Sequence, residues 1–495
     1  MAVCFTVPEI LAATKGKLLK GGAGDAFAGV STDSRTCQAG DLFIPLKGER
    51  HDGHDFISKA LNRGVRGVVV EEKWLLGEVA KGRSPLPPLP SPLPQALMGN
   101  FNRGTASRAP SWLEDVTLIA VPDTLIALGD MARAWRSRFP LPVVAVTGSC
   151  GKTTAKEMTA RVLSRAYQVL KNELNLNNLI GLPQTLLRLD ASHEAAVVEM
   201  GMNRFGEIRR LTEISRPTVG VWLNVYPAHT EGVGCIEGVA QAKGELIEAL
   251  DPKAWLIYNA DDPRVACQAA AFPGRSLGFG LGPGAGLLAV DRQARGRAGQ
   301  TARLEWQGQS WTLQLNVPGL HQLYNALAAT GVGLTLGLAP GETAAALAGF
   351  AAIVRRSQVQ TLASGVHLIN DCYNANPGSM AMALKTLAEI RNHGRAVAAL
   401  GDMLELGRNS LPEHRELGRQ AALAGLDLLV VYGNFREEVV EGAREAGLAP
   451  DRIRPVTTHR EGAQVLEEFL QPGDWLLVKG SRSMRMECVI EALED

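Results

Sequence analysis

An apolar run that breaks into a glycine-bearing turn and then into a helix, LPVVAVTGSCGKTT (residues 141–154), places the tightest limit on how this chain can fold. A short, continuously apolar strand is buried on both faces, as in a parallel sheet covered by helices. The turn that follows, Thr147, Gly148, Ser149, Cys150, Gly151, Lys152, Thr153 and Thr154, aims backbone N–H groups and a helix N-terminus at one point. That arrangement suits phosphate oxygens. Lys152 is expected to neutralise charge on β- and γ-phosphates, and the Thr153 hydroxyl to reach Mg²⁺. Val146 stands where the first glycine of GxxxxGK[ST] usually falls. A chance Gly-Lys-Thr turn is the bland alternative, and the strand–turn–helix setting argues against it.

The same theme recurs along the chain. AAVVEMG (residues 195–201) and TVGVWLN (218–224) are buried strands that end in polar residues, and helical stretches separate them. Such alternation predicts a parallel sheet with crossover helices. RLEWQGQSWTLQLNV (303–317) alternates in polarity and reads as an antiparallel hairpin. HLIND, RAVAALGD, DLLVVYG and DWLLVKG, each followed by a helical segment, predict a third, Rossmann-like domain without a GxGxxG fingerprint. Ahead of the phosphate-binding turn, VRGVVV (65–70), TLIAV (117–121) and a helix over 123–139 with Asp123 as its N-cap mark a mixed α/β domain. At about 150 residues per domain, a chain of 495 residues accommodates three: residues 1–138, 139–353 and 354–495. A proline-rich stretch at about 84–112 is expected to be an extended insertion, either a plain spacer or, less simply, a ligand for an SH3-type groove.

Composition excludes several classes. Lys+Arg and Asp+Glu both number 51, so the basic excess of a bulk nucleic-acid binder is missing. Seven scattered cysteines, none in a CxxC pair, suggest neither a zinc knuckle nor a disulfide framework, and favour a reducing compartment. The N-terminal residues lack a basic start and meet Glu9 early, unlike a signal peptide. The longest apolar stretch, residues 323–339, is interrupted by Asn325 and three glycines, so a packed core helix is expected rather than a membrane span. A cytoplasmic chain, with no nucleic-acid partner and no stable membrane insertion, is the expectation.

In open parallel sheets, ligands gather beyond the carboxyl ends of the strands. Glu199 ends one such strand, and His229 lies in the loop after another, so both can face the phosphate-binding turn. Taken alone, each is more often a surface carboxylate or a satisfied loop histidine. Lys243 falls on the apolar stripe Ile236, Val239, Leu246, Ile247, Leu250 of the helix that follows. A lysine there must snorkel, pair or change its chemistry, because a buried ammonium is costly.

Residues 143–250 resemble the central domain of the Mur ligases, ATP-dependent amide-forming enzymes of peptidoglycan precursor synthesis. The resemblance covers nearly the whole chain. It rests on STDSR (31–35), DLFIPLKGERHDGHDF (41–56), TGSCGKTT, NLNNLIGLP (175–183), EMG, AHTEG, PGLHQLYNALAA, DCYNANPGSM (371–380), GDMLELG (401–407) and VKGSRS (478–483), in that order. It implies an α/β chain of three domains: an N-terminal mixed α/β domain binding the UDP-sugar, a central P-loop parallel-sheet ATPase domain, and a C-terminal Rossmann-like domain binding the amino substrate. It also implies ATP and Mg²⁺. Catalytic roles fall on Lys152, Lys243, His229 and Glu199, and the metal ligands match Thr153, Glu199, His229 and a Lys243 carbamylated by CO₂. Asn325 and Arg356 match nucleotide-contacting positions, and Asp371 a ribose-binding aspartate. Asn177 and Asn178 resemble part of the substrate channel, while Ser34, Arg35, Lys47 and His51 fall in the segment similar to the UDP-sugar pocket. The implied substrates are UDP-N-acetylmuramoyl-tripeptide and D-alanyl-D-alanine, and a monomer is expected.

The chain departs from the family pattern in three places. Gln322 follows His321 where Asn is usual, Val354 and Arg355 stand where Pro-Gly precedes the arginine, and the proline-rich stretch has no counterpart. Three rival families share some of these features. A folylpolyglutamate synthase opens with its phosphate loop, whereas here about 140 residues precede it. The sibling ligase that adds a diamino acid carries Asp-Asn-Pro-Arg in its last domain, and that stretch is missing there. A P-loop switch protein would bind nucleotide without making product.

Overall fold

The computed structural model describes residues 4–48, 50–80, 116–173, 175–391 and 394–494; the proline-rich stretch lies outside them. Contacts divide the chain into two compact units. One takes Met1–Leu141, Asn172–His193 and Glu213–Arg216; the other takes Pro142–Lys171, Glu194–Thr212 and Pro217–Asp495.

The first unit is built on a five-stranded sheet in the order Lys17–Lys20, Thr117–Val121, Gly67–Glu71, Asp41–Phe43, Gly29–Ser31. Only the first pairing is antiparallel. Val68, Val69 and Val70 are fully buried, as the unbroken valine run predicts for an inner strand. The expected helix spans Thr124–Arg136, and the Asp123 carboxylate accepts from Ile126 N at 2.8 Å, so the predicted cap forms. This helix also explains why two later segments join the unit. Trp135 Nε1 donates to Leu189 O at 2.9 Å. The buried Arg136 guanidinium donates to the carbonyls of Ser215, Phe139 and Leu141 at 3.1, 2.5 and 3.0 Å. Desolvation pushes its pKa down to about 10.

The second unit holds two sheets. The nine-stranded one runs Gln309–Leu315, Gln300–Trp306, Leu287–Ala294, Arg275–Gly280, Trp255–Asn259, Val219–Trp222, Val143–Thr147, Ala195–Glu199, Val169–Lys171. Its strands are parallel from Leu287–Ala294 onward, and the predicted hairpin pairs antiparallel at the opposite edge. The phosphate-loop strand Val143–Thr147 lies inside the sheet, buried along its whole length, so the loop after it is carried on a rigid element. The apolar run at 323–339 forms the helix Leu320–Thr335, packed on the phosphate-loop helix Lys152–Leu163. Its glycines permit that packing: a Cβ on Gly333 would stand 2.7 Å from Val162 Cγ1. No helix among the described residues is long and apolar enough to cross a membrane.

The six-stranded sheet runs Gln358–Thr361, His367–Asp371, Trp475–Lys479, Ala396–Gly401, Leu428–Tyr432, Ile453–Val456, antiparallel only at the first pairing. All four predicted strands are present. Two edge strands were not foreseen from sequence, and one of them, Ile453–Val456, contains Pro455, which a ladder tolerates at an edge. The last strand in the chain inserts between His367–Asp371 and Ala396–Gly401.

Candidate active site

The phosphate-binding turn is held in shape by two glycines and by neighbouring loops. Gly148 and Gly151 adopt φ of 154° and 81°. Gly151 is the residue before the helix, and a Cβ there would stand 2.4 Å from Asn325 Oδ1, so the close approach of Asn325 needs a glycine. Cys150 N donates to Asn224 Oδ1 at 2.9 Å, and Asn224 Nδ2 donates to Cys150 O at 3.1 Å. Ser149 Oγ donates to Tyr226 O at 3.0 Å and accepts from Tyr226 N at 2.9 Å. Thr147 Oγ1 donates to Met200 O at 3.2 Å. Thr154 is buried in the first turn of the helix. The helix's leading N–H groups, which have no intrahelical partner, therefore start from a fixed frame.

Lys152 Nζ folds back to donate to Gly148 O at 2.9 Å, and burial lowers its pKa against the opposing pull of Glu199. Thr153 Oγ1 donates to Glu199 Oε2 at 2.7 Å, and both residues are buried. The hydroxyl and carboxylate predicted as metal ligands thus stand side by side.

Lys243 is fully buried on Ile236–Ala249, and its Nζ has no hydrogen-bond partner. Desolvation, aided by the Lys152 charge, drives its pKa well below the ordinary lysine value. The inward-facing alternative raised from periodicity is the one the structure shows. Among the described residues, no three His, Cys, Asp or Glu side chains form a cluster that could hold a metal ion. The donor set fits a divalent cation once the amine of Lys243 becomes an anionic oxygen ligand. A neutral, desolvated amine is the form that reacts with CO₂, so the orphaned Nζ supports that chemistry.

His229 sits in a left-handed backbone conformation, φ 56°. Its Nδ1 lies 2.6 Å from Oε2 of Glu405, and His229 lowers the Glu405 pKa. Glu405 is itself left-handed, φ 65°. Thr230 Oγ1 donates to Leu406 O at 3.0 Å, so the AHTEG and GDMLELG loops are joined.

The proposed nucleotide contacts gather in the same unit. Asn325 is buried, and its Nδ2 donates to Gln322 Oε1 at 3.3 Å, which gives the unusual Gln322 a supporting place. The Arg356 guanidinium lies 3.8 Å from the Tyr373 ring centroid. Arg355, standing where the family pattern has glycine, takes φ 62°; its guanidinium is tied to Glu487 Oε1 at 3.1 Å. Asp371 accepts from Ser357 N at 2.8 Å and from Lys479 Nζ at 2.5 Å.

The residues expected in the sugar pocket belong to the first unit. Arg35 is exposed and forms a bidentate pair with Asp33, at 2.9 and 2.7 Å. Ser34 lies in the same turn, its carbonyl accepting from Cys37 Sγ at 3.5 Å. Lys47 bridges to Asp52 through the backbone, and the His51 ring meets Phe56 edge-on at 6.5 Å. Asn178 Oδ1 accepts from Ile180 N and Gly181 N at 3.1 and 2.9 Å. Asn177, its neighbour, lies in the same segment. Gln184 Nε2 donates to Thr32 Oγ1 at 2.7 Å, bringing the NLNNLIGLP segment to the STDSR turn across 152 residues.

Family models describing a Mur ligase middle domain, a Mur ligase glutamate ligase domain and a Mur ligase family catalytic domain match residues 146–333, 355–482 and 26–84. A curated protein of Bacillus subtilis (strain 168), UDP-N-acetylmuramoyl-tripeptide–D-alanyl-D-alanine ligase, is 33% identical over 469 residues, covering 94% of this chain and 93% of its own. The chain belongs to the Mur ligase family. A crystal structure of MurF from Acinetobacter baumannii superposes with a TM-score of 0.85 at 30% identity, covering 99% of each chain. MurF ligase of Thermotoga maritima, solved in complex with ADP, gives 0.77 at 28% identity over 94% of this chain and 96% of its own. Within this Mur ligase, the contacts that sequence reasoning missed are those of Asn224, Tyr226, Asn376, Lys479, Glu405 and Gln184. Asn376 before Pro377 was readable as a helix cap. The partners of the other five depend on distant chain segments.

Proposed function

We propose that this chain is an ATP-dependent ligase that joins D-alanyl-D-alanine to the terminal carboxylate of UDP-N-acetylmuramoyl-tripeptide, forming the UDP-N-acetylmuramoyl-pentapeptide of peptidoglycan synthesis. One observation carries the reading. The phosphate-binding turn, with the Thr153–Glu199 pair and the orphaned Lys243 amine, lies in a chain one-third identical to a ligase of that name along nearly its full length. Residues 1–138 grip the UDP-sugar through Ser34, Arg35, Lys47 and His51, with Asn177 and Asn178 along the channel. Residues 139–353 bind ATP, and 354–495 bring the amino substrate.

A carboxylate is a poor electrophile because its charge repels an amine. Its oxygen attacks the γ-phosphorus of ATP, the bond to the β-phosphate bridging oxygen breaks, and ADP leaves an acyl phosphate behind. The amine of D-alanyl-D-alanine attacks the carbonyl carbon and loses a proton. The tetrahedral species then expels inorganic phosphate, which carries away one original carboxylate oxygen. Lys152 screens the transferring phosphoryl group, and the helix N-terminus behind Gly151 orients it. Asn325, Arg356 and Asp371 hold the nucleoside. Thr153, Glu199 and carbamylated Lys243 would hold Mg²⁺, with His229 serving a second ion; bound there, the metal supplies positive charge to the phosphates. Exclusion of water protects the acyl phosphate from hydrolysis. All seven cysteines are free, which supports a cytoplasmic location. A monomer is the expected state in this reading.

ADP and phosphate should form in a one-to-one ratio with a product whose mass equals both substrates less one water, and only when both are present. Sustained ADP release over many turnovers without the dipeptide, or equal use of a free diamino acid, would contradict the reading.

A further inference from the structure

The phosphate-binding turn is gripped from a second direction, by a residue of the six-stranded sheet's first crossover. Asn376 precedes the helix Pro377–Ile390, and its Oδ1 caps that helix by accepting from Ser379 N at 2.9 Å. The same oxygen accepts from Cys150 Sγ at 3.0 Å, and Nδ2 donates to Ser149 O at 3.3 Å. The peptide between Ser149 and Cys150 is therefore fixed at both ends, its carbonyl by Asn376 and its N–H by Asn224 at 2.9 Å.

Two further features show that this contact is built. A Cβ on Gly378 would stand 2.2 Å from Tyr226 Cγ, so the helix start rests directly on the Tyr226 ring. Tyr226 in turn clasps the Ser149 hydroxyl through its own backbone. Burial raises the Cys150 pKa, so the thiol keeps the proton it donates. A cap alone needs only an acceptor, which Asp or Ser supplies as well as Asn. Accepting from the thiol with one atom while donating to a carbonyl with another is what the Asn376 amide supplies and a carboxylate does not.

We propose that Asn376 is a positioning residue for the nucleotide: through Ser149 O and the Cys150 thiol it sets the shape of the phosphate-binding turn from the C-terminal sheet. The proposal rests on the ATP-dependent reading above. It couples the segment that brings the amino substrate to the loop that holds the phosphates.

Asn376→Asp keeps the cap, removes the Nδ2 donor and adds negative charge beside the phosphate site. Its melting temperature should stay near that of the wild type, while ADP binding, measured by calorimetry on the full chain, weakens about tenfold or more, as expected for a lost bond to a constrained site. KM for ATP should rise similarly and KM for D-alanyl-D-alanine should not. Cys150→Ala approaches the contact from the loop side and should weaken ADP several-fold. Combined with Asn376→Ala, it should add nothing to the loss seen in Asn376→Ala alone. ADP binding by Asn376→Asp within twofold of wild type would overturn the proposal. So would losses that only follow falling melting temperatures, or effects of the two substitutions that simply add. Failure of the wild-type chain to bind ADP would overturn the ATP-dependent reading instead.

Discussion

A single amine shows how burial decides chemistry at this site. Lys243 lies on a helix face whose other members are apolar, with no acceptor for its Nζ. An ammonium left so would be costly, and burial pushes the pKa well below the ordinary lysine value, toward the neutral amine. Lys243→Ala should lower ligation at least about 100-fold, the scale of a lost group that holds a metal ligand in place, and added short carboxylic acids should restore part of the rate by supplying the missing oxygens. An untreated variant with wild-type turnover would refute the carbamate role. His321 makes a second residue-scale test. Its Nδ1 is enclosed without a partner, and desolvation pushes the ring's pKa down to about 4 from 6.5. The unfolded chain thus binds a proton that the folded chain refuses between those values. Stability contributed by the neutral ring is complete above pH 6.5 and falls as pH drops toward 4, by at most about 1.4 kcal/mol per pH unit. Melting curves between pH 4 and 7 should slope less steeply for His321→Gln than for the wild type; parallel slopes would show that His321 does not contribute.

At the scale of elements, the phosphate-binding turn depends on a strand that cannot move and a glycine that cannot be replaced. Gly151→Ala would force a left-handed alanine at φ 81° and a Cβ 2.4 Å from Asn325 Oδ1, adding about 1–2 kcal/mol of backbone strain alone. ADP affinity should fall about five- to thirty-fold, corresponding to that strain, together with a lower melting temperature; unchanged titration and melting curves would contradict this account of the loop. Much of this level was legible in the sequence. Continuous apolar runs marked the inner strands, Asp123 marked a helix start, and alternation in polarity marked the hairpin at Gln300–Trp306 and Gln309–Leu315. Those signals are local, carried by a few consecutive side chains. The strand containing Pro455 was hidden because an edge position removes the usual penalty for proline. The contacts of Cys150 with Asn376, 226 residues away, and of Gln184 with Thr32, 152 residues away, were not legible: each side chain looks ordinary in its own neighbourhood. Only tertiary folding creates those pairs.

At the scale of the molecule, three extended sheets, of five, nine and six strands, carry the residues that the proposed ligation assigns to the sugar, the nucleotide and the amino substrate. Full-length similarity to ligases that add D-alanyl-D-alanine makes the chain's chemistry specific. The account's centre is that the substrate carboxylate is phosphorylated before the amine attacks. The most direct test is to label the terminal carboxylate of UDP-N-acetylmuramoyl-tripeptide with oxygen-18, run the reaction with ATP and D-alanyl-D-alanine, and weigh the phosphate released. One labelled oxygen per phosphate is the result expected from an acyl phosphate; phosphate free of label would contradict the mechanism.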